Sequence, residues 1–403
     1  MRRRRLLAVI GSVGVTTIAG CSGGNNGGGS EGSTSDTTES ASEGSATAGD
    51  TETTTTTAEP SFGPLAWSQR GGDPKRTYAA DVTALTTDSP STTALGKEFS
   101  QPPLLATDRI IWKGGVYDRS GNKLRDLPAR TNLDLGFAPQ LAYSGGTLTV
   151  PRKDELVGVD PLAGEELWRY STRSPPLRIV ARDGTVYAAL PDDSSVVAVD
   201  LSSGERRWRK EFQRLRRRRL AAGAYLYAFN KPVSEARRLV ALDFETGETV
   251  TEIDRKSIRI GPSNDLYTGP ARVSPEGETL WEGLDAGDAL AVDSQYVYVR
   301  GGFNDTRTLK AVNPGNGSIA WEFELPSNYD KVVAGAEHVY VAITGSDQVF
   351  AIAKANGSRA GLYSVPEPRN LAVGDGVLAV VSGFSGQYTD SVTRTGVRLL
   401  RDG

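Results

Sequence analysis

Few residues in this chain could perform covalent or metal chemistry. Its 403 residues include one cysteine, Cys21, one histidine, His338, and one methionine, Met1. A single cysteine rules out an intrachain disulfide and any cysteine-based zinc or iron–sulfur site, and a single histidine rules out any site that needs two. His338 lies at the start of an alternating apolar run, which predicts a turn or strand-edge residue rather than a general base. We therefore predict no catalytic residue, no metal site and no cofactor.

Cys21 follows a segment with the features of an export signal. Residues 2–5 are all arginine, residues 6–18 are weakly apolar, and the segment ends Ile18-Ala-Gly-Cys21. This ending resembles a lipobox, which implies lipidation of the Cys21 thiol and anchoring at the outer face of the cell membrane. The alternative is a transmembrane anchor or an ordinary signal peptide with an incidental cysteine. The arginine run also resembles a twin-arginine export signal, and the export route stays open.

The next forty residues have the composition of a disordered segment. Residues 22–60 consist mainly of Gly, Ser, Thr, Asp and Glu, so they cannot bury enough apolar surface to offset the entropy of ordering. We predict a signal peptide at residues 1–20, a disordered tether at 21–60 and a folded domain at 61–403. A Thr- and acid-rich stalk after a lipobox, in a chain with more arginine than lysine, resembles the cell-surface lipoproteins of haloarchaea.

Several basic residues of the folded part could attract an anion. They lie at or just before the start of successive apolar runs: Arg178, Arg218, Arg219, Arg259, Lys331 and Arg369. If these runs are equivalent strands around a central channel, the cations gather on one face and favour an acidic glycan or an acidic protein. The alternative is solvated rim residues, partly paired with Asp288 and Asp330. The formal net charge of −3 does not favour nucleic acid as a partner, and we expect a monomer.

Three sequons could carry N-glycans on an exported protein. They begin at Asn304, Asn316 and Asn356. The last two fall within short segments that we interpret as turns, so their alternative role is to cap those turns.

The folded part is built from an internal repeat. Leu156-Val-Gly-Val-Asp160-Pro-Leu-Ala-Gly164-Glu-Glu-Leu-Trp168 recurs with variations around Gly204, Gly247 and Gly317, and weaker copies centre on Gly121, Gly277, Gly357 and Gly396. In each copy an alternating strand ends in Asp or Asn, a glycine supplies a positive φ, and a second strand returns. Another strand pair precedes each copy. Four short strands in about 40 residues predict a β-propeller of four-stranded antiparallel blades.

This motif resembles the quinoprotein-type (PQQ-like) repeat of pyrroloquinoline-quinone dehydrogenases and of outer-membrane assembly propeller lipoproteins. Trp67-Ser-Gln-Arg-Gly-Gly-Asp-Pro-Lys-Arg-Thr77 also resembles the opening segment of that family. The resemblance implies that the tryptophans of the repeat dock between neighbouring blades: Trp168, Trp208, Trp281 and Trp321. The quinone-dependent members of that family use a vicinal disulfide and a calcium site. This chain lacks the cysteines for such a disulfide.

The repeat predicts eight blades and a way to close the ring. The first strands of the blades align on eight apolar residues: Leu104, Leu141, Ile179, Leu220, Ile260, Leu290, Val332 and Leu371. The last unit supplies three strands, ending at Val397–Leu400, and residues 93–99 match the missing fourth. Pairing them would close the ring and cover both edges. Seven blades remain possible if the short unit around Gly277 merges with a neighbour.

These features predict a cell-surface lipoprotein that acts as a non-catalytic binding or scaffold module for a protein or glycan partner. The alternative is a quinoprotein-like or polysaccharide-acting enzyme on the same propeller, since paired carboxylates from distant blades would leave no local signature.

Overall fold

A computed structural model describes the folded part of the chain. The described residues are 65–69, 72–73, 75–97, 102–128, 140–176, 178–190, 192–230, 238–255, 258–268, 271–282, 286–302, 305–383 and 396–402. All of them belong to one compact unit, Glu59–Gly403. They form strands and turns, and none lies in a helix that could cross a membrane. The predicted signal peptide and tether, including Cys21, and the sequon residue Asn304 lie outside these ranges.

Two strands precede the repeats: β1 (Leu65–Trp67) and β2 (Ser91–Lys97). Blade 1 contains β3 (Leu104–Ala106), β4 (Arg109–Trp112), β5 (Gly115–Asp118) and β6 (Lys123–Asp126). Blade 2 contains β7 (Ala142–Ser144), β8 (Thr147–Pro151), β9 (Glu155–Asp160) and β10 (Glu165–Ser171). Blade 3 contains β11 (Arg178–Arg182), β12 (Thr185–Leu190), β13 (Ser195–Asp200) and β14 (Arg206–Glu211). Blade 4 contains β15 (Leu215–Ala222), β16 (Leu226–Asn230), β17 (Arg238–Leu242) and β18 (Thr249–Ile253).

Blade 5 contains β19 (Arg259–Ile260), β20 (Leu266–Tyr267), β21 (Ala271–Val273) and β22 (Thr279–Glu282). Blade 6 contains β23 (Ala286–Val292), β24 (Val297–Gly301), β25 (Thr308–Val312) and β26 (Ile319–Glu324). Blade 7 contains β27 (Tyr329–Ala334), β28 (His338–Ile343), β29 (Gln348–Ala353) and β30 (Arg359–Ser364). Blade 8 contains β31 (Pro368–Gly374), β32 (Val377–Ser382), β33 (Gly396–Arg401) and, from the other end of the chain, β2.

The architecture confirms the predicted eight-bladed propeller of antiparallel four-stranded sheets. The short unit around Gly277 is a blade of its own, with strands of two to four residues, so the seven-bladed alternative is wrong. β1 was not anticipated as a strand and adds to the inner edge of blade 1 by pairing with β3. Neighbouring first strands contact one another, including β11 with β15 and β27 with β31. The first strands are therefore the innermost ones.

The ring closes where the sequence predicts it. β2 pairs antiparallel with β33 and completes blade 8. The expectation of a turn centred on Gly396 is wrong, because Gly396 begins β33 and pairs with Ser382 on one side. The turn that would follow β33 is instead completed by Thr86 and Thr87, whose backbone N–H groups donate to the Asp402 carboxylate at 2.9 and 3.2 Å.

The turn after the third strand is set by local side-chain chemistry. In blade 3, Asp200 Oδ1 accepts the backbone N–H groups of Ser202 and Ser203 at 2.8 and 3.1 Å. Gly204 then takes φ +75°, which only glycine adopts at little cost. The Asp-x-x-x-Gly spacing of the repeat is therefore a turn that carries its own cap.

The outermost strands of blades 1 to 7 carry a β-bulge at the same repeat position, beside the turn that follows the third strand. In blade 3, Ala198 faces Trp208 and the next residue, Val199, faces Arg206, so Arg207 is the extra residue. The same irregularity recurs in blades 1, 2, 4, 5, 6 and 7. In blade 8 the bulge lies further along the outer strand, opposite the beginning of β33. A bulge twists an exposed edge and interrupts its regular row of backbone donors and acceptors, which protects the rim from edge-to-edge pairing.

The repeat tryptophans contact the next blade along the chain. The indole N–H of each donates to a backbone carbonyl at 2.7–2.9 Å, in the pairs Trp168–Leu201, Trp208–Phe244, Trp281–Pro314 and Trp321–Lys354. Trp168 is 6 % exposed and packs with Val186 and Val197 of blade 3. Its ring also fills the space over Gly204, where an added Cβ would lie 2.8 Å from the ring atom Cγ. One side chain thus joins two blades by packing and by a hydrogen bond.

Candidate functional site

The segment between β1 and β2 crosses one face of the ring. We call the described residues from Trp67 to Thr87 the crossing segment. It begins beside blade 1, where Trp67 pairs with Leu105. The Gln69 side chain then exchanges two hydrogen bonds of 3.2 Å with the backbone of Ala181 in blade 3. Further along, Ala80 N–H donates to Ala334 O in blade 7 at 2.9 Å. The first strands meet the crossing segment at or near their last residues.

Two of the basic residues singled out from the sequence lie earlier along the strands that contain Ala181 and Ala334. Arg178 begins β11, three residues before Ala181, and Lys331 lies three residues before Ala334. At about 3.3 Å of rise per residue, each is about 10 Å from the crossing segment along its strand. Arg369 is the second residue of β31. Arg218 and Arg219 lie within β15, and their side chains are outside the described part.

These basic residues differ in their contacts. Lys331 is partly buried and forms no ion pair with the described residues. Arg369 is exposed and lies 3.4 Å from Glu367. Arg259 is turned inward: its Nε donates to Leu290 O at 3.0 Å, and its guanidinium lies 4.7 Å from the ring centre of Tyr78 in the crossing segment. Arg259 therefore links blades 5 and 6 to the crossing segment by hydrogen bonding and a cation–π contact.

A pocket of about 350 Å³ lies between the crossing segment and blades 5 to 7. We call it the segment pocket. The crossing segment contributes Asp73, Lys75, Thr77, Ala79, Ala80 and Asp81, and the blades contribute Pro262, Val292, Asp293, Ser294, Gly335 and Lys354. Its volume falls within the range of about 300 to 1,000 Å³ that is usual for small-molecule sites.

Most charged groups that line the segment pocket form ion pairs or hydrogen bonds with other groups of the protein. Lys354 is 6 % exposed, and its Nζ lies 2.8 Å from Asp293 Oδ2 and 3.1 Å from Gly335 O. The Asp293 carboxylate also accepts the Tyr298 hydroxyl at 2.9 Å. Lys75 Nζ donates to Pro262 O. Burial lowers the pKa of Lys75, which Asp73 partly offsets by its opposite charge.

Sequence reasoning did not single out this pocket. A departure from the repeat could have revealed the pocket. The repeat position directly after the Asp, Asn or Ala at the end of the third strand is apolar in four other well-aligned copies, where it is Pro161, Leu201, Phe244 or Pro314. Blade 7 has Lys354 there. A buried lysine in an apolar position is costly unless it is paired, so this departure could have marked the site. The contact with Asp293 could not have been found, because it comes from another blade.

Asp73 gives the segment pocket a pH dependence. Its carboxylate accepts the backbone N–H and the hydroxyl of Thr77, both at 3.0 Å. Burial nevertheless raises the pKa of Asp73 above its ordinary value of 3.8. The folded protein therefore holds this proton more tightly than the unfolded chain, and the stability present below pH 3.8 is lost as pH rises through the raised pKa.

We expect Asp73→Asn to gain stability relative to the wild type as pH rises from about 4 to about 7, because the amide keeps an acceptor for Thr77 and never ionises. Urea unfolding at the two pH values measures the change. Asp375→Asn, in the first turn of blade 8 and exposed, is the matched control. An identical pH response in Asp73→Asn and the wild type would contradict the expectation.

The sequons at Asn316 and Asn356 lie in exposed turns. Each Asn Oδ1 accepts both the N–H and the hydroxyl of the serine two residues later, at 2.8–3.0 Å. These amides act as turn caps, and their glycosylation stays a prediction. His338 begins β28, with its ring 6.2 Å from that of Tyr340.

Comparison with known proteins agrees with the architecture. A family model described as outer membrane protein assembly factor BamB matches residues 104–260 and 271–397, together more than two thirds of the chain. The chain belongs to this BamB family. The propeller it shares is of the PQQ-like type, as the repeat predicts. No curated protein matches the chain.

Solved structures show the same fold at low sequence identity. Quinohemoprotein alcohol dehydrogenase ADHIIG from Pseudomonas putida HK5 is 11 % identical with a TM-score of 0.58, and the match covers 83 % of this chain and 80 % of that one. The quinohemoprotein alcohol dehydrogenase from Comamonas testosteroni is 12 % identical with a TM-score of 0.57 and the same coverage. BamB from Moraxella catarrhalis is 15 % identical with a TM-score of 0.49, and the match covers 76 % of this chain and 98 % of that one.

The quinone group implied by the dehydrogenase neighbours does not fit this chain's donor groups. The one cysteine, Cys21, precludes a vicinal disulfide in the propeller. In the described ranges, no three His, Cys, Asp or Glu side chains are arranged to hold a metal ion.

Proposed function

We propose that this BamB-family chain is an exported protein, lipid-anchored through Cys21 at the outer face of the cell membrane, that binds a protein or acidic glycan partner without catalysis. Its propeller is the binding or scaffold module. The residues before the propeller supply the export signal, the lipid anchor and the tether, and they resemble those of haloarchaeal lipoproteins.

The observation that carries this proposal is the placement of the basic residues. Arg178, Lys331 and Arg369 are within the first three residues of first strands in three different blades, and two of these strands contact the crossing segment further along, at Ala181 and Ala334. Cations drawn from several blades to one face of a rigid ring sum their potentials and attract a polyanion. The family's description as an assembly factor supports a scaffold role, since such a role needs surfaces rather than reacting groups.

The alternative enzyme function has one supporting observation, the fold shared with two quinohemoprotein alcohol dehydrogenases. At 11–12 % identity this likeness concerns the fold alone. An enzyme that acts on polysaccharides would need paired carboxylates close enough to flank a glycosidic bond. Cleavage of an acidic polysaccharide by the purified protein would establish the enzyme function in place of the binding module.

Charge reversal tests the binding face. We expect Arg178→Glu combined with Lys331→Glu to weaken binding of the full chain to immobilised hyaluronan or polyglutamate by about tenfold or more, and to flatten its salt dependence, because two cations become anions. Binding is measured by surface plasmon resonance over a salt series.

Two control variants accompany this measurement. Arg206→Glu reverses an exposed charge on the outer strand β14 and should leave binding unchanged. Cys21→Ser should no longer be found in the membrane fraction. It should bind the immobilised polyanions as well as the wild type does, because the binding face belongs to the propeller. Equal loss of binding in Arg206→Glu and in the double variant would count against a specific face.

A further inference from the structure

The segment pocket presents unused hydrogen-bonding groups of both kinds. Asp81 is exposed and forms no ion pair with the described residues, and Ser294, which is also exposed, lines the same pocket. An ammonium group has three N–H donors. Lys75 uses one on Pro262 O, and Lys354 uses two, on Asp293 and Gly335 O. Acceptors and donors that remain available thus line the same cavity.

The cavity has little net charge to attract an ion. Its lining contains three carboxylates, Asp73, Asp81 and Asp293, and two ammonium groups, Lys75 and Lys354. Lys354 and Asp293 neutralise each other at 2.8 Å. A ligand of strong charge would leave an unpaired charge in a partly desolvated site, which is costly. A neutral ligand with many hydroxyls meets no such penalty.

Neighbouring hydroxyls of a polyol suit this lining. Each hydroxyl can donate to a carboxylate and accept from an ammonium group at the same time, and bonds to charged partners are the strong ones. Ala79, Ala80, Pro262 and Val292 supply apolar surface for the carbon atoms of such a ligand.

We propose that the segment pocket binds a neutral polyhydroxylated molecule, such as a sugar ring, with Asp81 and Asp73 accepting from its hydroxyls and Lys75 and Lys354 donating to them. The crossing segment is then half of a binding site as well as a brace across the ring. This site lies on the face away from the proposed polyanion surface, and the proposal does not rest on that function.

The test uses saturation-transfer NMR of the full chain with D-glucose, D-galactose and N-acetyl-D-glucosamine as separate probes. L-lysine and L-glutamate serve as charged probes. We expect at least one sugar to bind and neither amino acid to do so. Asp81→Ala should weaken sugar binding by about tenfold or more, because it removes a charged acceptor. Asp375→Ala, an exposed aspartate in the first turn of blade 8, is the matched control.

A second variant tests the pocket from the blade side. Lys354→Met with Asp293→Asn replaces the ion pair by a neutral pair and restores the apolar residue type of the other blades. The amide oxygen still accepts the Gln295 and Tyr296 N–H groups, and the amide NH2 can donate to the Tyr298 hydroxyl. This variant should fold and lose sugar binding while it retains hyaluronan binding. The proposal is overturned if none of the three sugars binds the wild type, if binding survives both variants, or if lysine or glutamate binds instead.

Discussion

Trp168→Ala should destabilise the propeller by about 3–5 kcal/mol, the usual cost of emptying a buried tryptophan site. The indole is 6 % exposed, packs on blade 3 and donates to Leu201 O at 2.7 Å. Alanine would leave a cavity between blades 2 and 3 and an acceptor without its partner. A larger residue at position 204 could not readily fill this cavity, because the φ of +75° at Gly204 disfavours residues with a side chain.

Denaturant unfolding followed by tryptophan fluorescence measures this loss. Leu167→Ala is the matched control, because Leu167 precedes Trp168 on the same strand and is 50 % exposed. We expect the control to change stability by less than about 0.5 kcal/mol, as is usual for surface positions. A Trp168→Ala variant as stable as Leu167→Ala would show that the tryptophan does not join the blades energetically.

Asp402→Ala should weaken the closure of the ring at blade 8 and lower the free energy of unfolding by about 1–2 kcal/mol. Three hydrogen bonds are lost, but each contributes less than a buried one because the carboxylate is partly exposed. Asp402 accepts the Thr86 and Thr87 N–H groups and the Thr86 hydroxyl, the last at 2.8 Å. Asp200 accepts the same three kinds of donor from Ser202 and Ser203. Asp402 therefore builds the repeat's turn with Thr86 and Thr87, which are 316 and 315 positions away in sequence.

Hydrogen exchange distinguishes this effect from a local one. In Asp402→Ala we expect faster exchange of the amides in β2 and β33, because the capped turn that holds the two chain segments together is lost. Asp200→Ala removes the equivalent cap within one continuous turn and should affect only blade 3. Exchange in β2 at the wild-type rate would mean that the β2–β33 ladder closes the ring without the cap.

The candidate site was partly predictable. The alignment on the first apolar residue predicts Arg178, Lys331 and Arg369 at the entries of first strands; in the structure Arg178 begins β11, Arg369 is the second residue of β31 and Lys331 is the third residue of β27. It did not foresee that Arg259 turns onto Tyr78, since β19 has only two residues and its neighbour is the crossing segment. The segment pocket escaped sequence reasoning because Asp73, Asp293 and Lys354 come from three separate stretches of chain.

By itself the sequence determined the propeller, the turns of its blades and the strand that completes the last one, and it favoured eight blades while the structure excluded seven. These depend on alternation along a strand, Asp and Gly at a set spacing and a period near 40, all of which act within a few residues. Only the tertiary structure decided the path of the crossing segment, the pairing of Lys354 with Asp293 and the cap that Asp402 forms with Thr86. Those contacts join residues brought together by ring closure, and no local preference encodes them.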